Sequence, residues 1–214
     1  MLDCGTTDRV WRKGRSNLSR HTQKRIDAKL TVLLRPWERF GLVSCEDGTV
    51  VYGLNPGKMP NWLHKTFKAL SDADIQRASD ILPDLERVGA LRNFETFNGA
   101  SLFHGAFDIY GLQTRQRATP ATFLPHDIIL ENVDRPEAFD AMDGLIIGAI
   151  DYDDERHVYV QLAPDDVRVF DDKANALHRW GSFPEFLQAE VTRVIRCLGE
   201  DDTWDEGLLA PEYG

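Results

Sequence analysis

The sequence predicts an α+β fold: a twisted, mostly antiparallel sheet of about five or six strands, packed against helices on one side. Three observations lead there. Leu145–Ile150, Val158–Leu162 and Val167–Phe170 are apolar runs of strand length separated by short polar turns. Turns that short leave no room for a crossover helix, so the strands must run antiparallel. Phe107 and Ile109 alternate with Asp108 and Tyr110, the period-two pattern of a half-buried strand. Apolar residues recur at helical spacing towards both ends, in Ile26, Leu30, Leu33, Leu34 and Trp37, and in Phe183, Phe186, Leu187, Val191, Val194, Ile195 and Leu198.

The chain has 214 residues, enough for one sizeable core, and its apolar share of 42% is that of a globular protein. No apolar run approaches the roughly 18 residues of a membrane span. The N-terminal Met-Leu-Asp-Cys-Gly is not followed by the apolar core of a secretory leader. Cys4, Cys45 and Cys197 are odd in number and far apart, so they predict neither a disulfide framework nor a metal pair. The expected location is the cytoplasm.

The net charge is −10 and unevenly placed. Residues 1–40 carry ten Lys and Arg against four Asp and Glu, a balance of +6, and the remainder carries fifteen against thirty-one, a balance of −16. An acidic body argues against direct nucleic-acid binding, because phosphates demand positive charge. It suits a basic protein partner, and equally it keeps a protein soluble.

In chain order, residues 1–25 read as a basic N-terminal arm with few large apolar residues. A single domain then spans 26–198, and an acidic tail spans 199–214. The early helix should end before Pro36. Leu42–Gly53 reads as a hairpin turning at Asp47-Gly48. Asn61–Leu70 reads as a short helix presenting Trp62, Leu63, Phe67 and Leu70. Ser71, with Asp74 three residues on, caps the next helix, which Pro83 interrupts.

The stretch from Phe97 to Gln113 is the organising segment. Asn98-Gly99 reads as the end of the preceding helix, and the strand after it closes at Gly111, where backbones can approach closely. It offers no good acid, base or nucleophile and is scaffold. Further on, Asp127–Leu130 reads as a short helix or strand and Glu131–Asp140 as loop. Leu145–Ile150 reads as a strand buried on both faces. Gly144 reads as a turn position that a Cβ would strain. The last helix begins near Ser182, with Pro184 acceptable in its first turn.

Catalytic readings fare poorly. The histidines His21, His64, His104, His126, His157 and His178 are scattered, with no metal-ligand spacing. There is no Gly-x-Ser-x-Gly elbow and no phosphate-binding glycine motif. Cys45 lies beside Glu46, which raises a thiol pKa. Asp151, Asp153, Asp154, Glu155 and His157 are rich in oxygen ligands but lack the EF-hand glycine and twelfth-position glutamate, so a solvated hairpin turn is the better reading. No catalytic residue, cofactor or metal site is expected, and the expected activity is not enzymatic.

What recurs is acidic turns. Asp151, Asp153, Asp154 and Glu155 (with Tyr152 or Tyr159 as aromatic anchor), Asp165 with Asp166, and Asp171 with Asp172 punctuate successive strands. Antiparallel strands of similar length bring the first and third of these turns to one end of the sheet. That end is a candidate protein-binding patch for a cationic surface.

Several motifs in order resemble the SUKH superfamily of immunity and cell-wall regulatory proteins. They are the Leu-Pro helix closing on Asn98-Gly99, the strand ending Ile109-Tyr110-Gly111, Leu124-Pro125, Glu131-Asn132, Asp143–Gly148, the strands Val158–Leu162 and Val167–Phe170, and Trp180–Leu187. The likeness is clearest over 72–198, and the family's usual Asn-Gly-Gly is here Asn-Gly-Ala. The resemblance implies an immunity protein that binds and neutralises a cognate bacterial toxin, often a nuclease, by occlusion. The alternative is an intracellular regulatory or scaffolding domain of the same fold without a toxin partner. A hydrolase is the third class considered.

Overall fold

The computed structural model describes residues 30, 33–53, 62–90, 94, 97–113, 124–135, 137–140, 142–153 and 156–195. The basic arm 1–25, the tail 199–214 and the polar stretch 114–120 lie outside them.

Among the described residues nine strands form one open antiparallel sheet in strict sequence order. They are β1 (Leu42–Ser44), β2 (Val50–Tyr52), β3 (His64–Lys68), β4 (Phe97–Leu102), β5 (Phe107–Ile109), β6 (Leu145–Asp153), β7 (Arg156–Leu162), β8 (Val167–Phe170) and β9 (Ala176–Trp180). The fold is therefore α+β, with more strands than the five or six expected. The hairpin at Asp47-Gly48 forms as expected, with Leu42 opposite Tyr52.

Three strands escape a reading by pattern. Residues 64–68 are β3, not a helix, and a register shift between Thr66 and Lys68 removes the alternation that marks a strand. Asn98-Gly99 lies inside β4 and does not cap a helix. Nearly all of β4 is buried, so it shows no polar face. Gly99 takes φ 84° in mid-strand, and the Asn98 side chain bonds both backbone groups of Leu112, accepting from its N–H (2.6 Å) and donating to its carbonyl (2.8 Å). β9 is an edge strand, largely exposed apart from Trp180, and its residues show no period-two alternation of apolar and polar.

Helices start where side chains can cap them. α1 (Asp72–Ile81) begins at Ser71, whose hydroxyl accepts from Asp74 N–H (3.2 Å). It stops before Pro83, and α2 (Asp84–Arg87) restarts the coil. α3 (Ile128–Val133) is capped by the Asp127 carboxylate. α4 (Phe183–Ile195) opens on a reciprocal cap: Ser182 accepts from Glu185 N–H (3.3 Å) and Glu185 accepts from Gly181 N–H (3.1 Å). The early helical residues 33–34 pass into a 3-10 turn, Arg35–Phe40, with Pro36 in its first turn and Trp37 buried.

Helical side chains gather on one face of the sheet, and a 3-10 turn lies on the other. Neighbouring strand residues point oppositely. α4 packs Phe186 against Phe107 and Trp180 on one face, with ring centroids 5.7 and 5.2 Å apart. On the other face, Phe139 of the 3-10 turn Glu137–Phe139 meets Tyr159 (4.9 Å) and Phe170 (6.2 Å). At the far side of the sheet, His64 lies fully buried between Trp37 and Phe103, with Nδ1 accepting from Phe103 N–H (3.1 Å).

Two glycines meet their expected roles. A Cβ at Gly111 would lie 2.1 Å from the Asn98 carbonyl oxygen. Gly144 has φ 147°, and a Cβ there would lie 2.6 Å from the Leu162 carbonyl oxygen.

Candidate protein-interaction surface

The strictly sequential order assigns each acidic turn to an end of the sheet. β6 enters the β6–β7 turn at one end, β7 runs to the opposite end, and β8 brings the chain back. The β6–β7 and β8–β9 turns thus share one end, and the β7–β8 turn stands roughly 20 Å away, the span of a strand of this length.

At the shared end, Asp151, Tyr152 and Asp153 are the last residues of β6, with Asp151 opposite His157 and Asp153 opposite Arg156. Asp154 and Glu155, between the strands, lie outside the described residues. In the β8–β9 turn, Asp171 is occupied in building the turn. Its carboxylate accepts from Lys173 N–H (3.0 Å), Asn175 N–H (2.7 Å) and the Asn175 side-chain amide (2.8 Å). Desolvation pushes the Asp171 pKa up, but these hydrogen bonds outweigh it and hold the group below its ordinary value. Its neighbour Asp172 is exposed.

The opposite end differs. Asp165 is exposed, but Asp166 is buried, at 3%. Arg168 Nε stands 2.9 Å from one of its oxygens and Arg179 Nε 2.5 Å from the other. Arg168 and Arg179 are directly opposed on β8 and β9, and the carboxylate between them relieves their repulsion. Asp166 therefore holds the sheet edge together and offers a partner little. Part of this signal was present in sequence, since Asp166 and Arg168 are two apart, but the pairing with Arg179 across the ladder was not.

Two clefts open among the described residues. One of about 210 Å³ is lined by Asp47, Lys68, Ser71, Asp74 and Asn98 above Phe67 and Leu112. Its acids and amide serve their own chain: Asp47 accepts from Thr49 N–H (2.9 Å), Asp74 pairs with Ser71 and Arg77, and Asn98 holds Leu112. The Ser71 hydrogen bond, foremost, holds the Asp74 pKa below its ordinary value. The other, of about 370 Å³, runs between α2, the β7–β8 turn and the start of α4.

On the sheet face carrying Val51, Ser101 and Asp108, the Lys65 ammonium sits 3.7 Å over the Trp62 ring. Burial pushes its pKa down, against the pull of Asp108. Burial, and then Asp47, pushes the Cys45 thiol up, away from the reactive thiolate.

Among the described residues no three His, Cys, Asp or Glu side chains converge to hold a metal ion. None of the helices there is long and apolar enough to cross a membrane. No family model, curated protein or solved structure matches this chain.

Proposed function

We propose that the protein is a stoichiometric binding module: a cytoplasmic immunity protein that occludes a basic bacterial toxin, without chemistry of its own. The supporting observation is the charge layout. The chain beyond residue 40 carries a balance of −16, and two of its acidic turns belong to one end of a single sheet. A field of one sign concentrated at one end steers an oppositely charged protein and rejects like-charged ones. The SUKH-like order of motifs gives the partner its class. Co-expression with the product of a neighbouring toxin gene, where one exists, tests the reading: cells should survive, and the two chains should co-purify about one to one, as occlusion demands. Protection by substoichiometric amounts would point to catalysis and overturn the proposal.

A further inference from the structure

We propose that the outer face of α3 is the surface that holds the toxin once the acidic end has steered it in; the inference rests on the binding reading above and names the anchoring face. Leu130 and Val133 are 56% and 67% exposed, and their spacing of three puts them side by side on one face of the helix. Residues 124–140 carry four acidic side chains beyond the capping Asp127 and one arginine, and that arginine, Arg135, is already turned to Asp140, 3.5 Å away. Asp134, next to Val133, is exposed, as is Glu137 in the following 3-10 turn.

The pair is held still. The Asn132 side chain accepts from Ile146 N–H (2.9 Å) and donates to the Ile146 carbonyl (2.8 Å), extending the ladder of β6 beyond the end of β5. Ile128 N–H donates to the Gly111 carbonyl (2.8 Å), and Asp127 caps the helix through Ile129 N–H (3.0 Å). A helix fixed at both ends to the central strands loses little freedom on binding. A fixed apolar pair among carboxylates fits a basic surface bearing an apolar knob, the arrangement of an interface with an apolar centre and a charged rim.

The test uses the full chain and the toxin it neutralises on co-expression, with association and dissociation rates measured separately. Leu130→Asp with Val133→Asp should melt like the wild type and dissociate roughly 30-fold faster, the size of a lost anchor. Asp153→Lys with Asp154→Lys should change the association rate alone. If the α3 variant melts early, Leu130→Ala with Val133→Ala decides on the same rate. Wild-type dissociation from a folded α3 variant would overturn this inference and leave the binding reading standing. Absence of any complex with the wild-type chain would overturn both.

Discussion

The two ends of the sheet carry the same kind of sequence, a pair of aspartates in a tight turn, and use it in opposite ways. In Asp165-Asp166 the second carboxylate is buried and gripped by Arg168 and Arg179. In Asp171-Asp172 the first carboxylate ties its own turn and the second is left in solvent. The difference lies in the residues just past each turn. An arginine two residues past Asp166 returns to the same face and finds a second arginine across the ladder. After Asp171 the chain offers backbone N–H groups, an asparagine and the exposed Lys173. An acidic turn is thus a binding candidate only where its carboxylates are not buried between opposing arginines.

One end is therefore rigid and the other open, and substitutions should respect that. The largest loss is expected from Gly144→Val at the rigid end, where the backbone is at φ 147° and a Cβ would press on the Leu162 carbonyl. The cost should be about 3 kcal/mol, read from denaturant melts. An unchanged midpoint would show that this end can yield. Asp166→Ala comes next. It removes hydrogen bonds to charged donors and leaves two opposed guanidinium groups unshielded, so a loss of about 2 kcal/mol is expected. Adding Arg179→Ala should recover part of it in a double-mutant cycle.

Asp171→Ala belongs to the open end and should cost less, no more than about 1 kcal/mol after solvent screening. Its pH dependence has a definite sign. The carboxyl pKa is depressed in the folded chain from an ordinary 3.8, so its contribution is full above that value and fades as the pH falls through the lower folded one. The gap between wild type and variant should therefore close below pH 3.8. A gap that persists into strong acid would mean that the turn is held by something other than the ionised carboxylate.

The class of the fold was legible in sequence, because β6, β7, β8 and β5 show their apolar pattern directly and α4 its stripe. The strands that were not legible each lack a period for a physical reason. β3 has a register shift, β4 is buried on both sides around Asn98-Gly99, and β9 is an edge whose exposed residues have no core to face. Asp165-Asp166 and Asp171-Asp172 were legible as turns, whereas Asp151–Asp153, read as turn, extend β6. The fate of the two turns was not legible, because burial of Asp166 depends on Arg179, thirteen residues on and across a ladder whose register the sequence leaves open. The outer face of α3 was invisible for the converse reason: Leu130 and Val133 look like core residues until the strand beneath the helix is known.

The smallest effect on stability, and the most informative about function, is expected from Asp153→Lys with Asp154→Lys at the open end. Screened charges contribute little to stability, so the double reversal should move stability by less than about 0.5 kcal/mol. Across an interface the same charges act at a distance, raising the rate of encounter with a basic surface. The double reversal should therefore slow association with the toxin and leave dissociation near the wild-type rate. Salt should slow wild-type association in the same way, since the screening length shrinks from about 10 Å at 0.1 M to about 3 Å at 1 M. The variant, already stripped of part of that field, should respond less to salt. Association rates measured across that salt series check both expectations. Wild-type kinetics in the variant at low salt would remove the open end from the steering field, and with it the functional half of the contrast between the two ends.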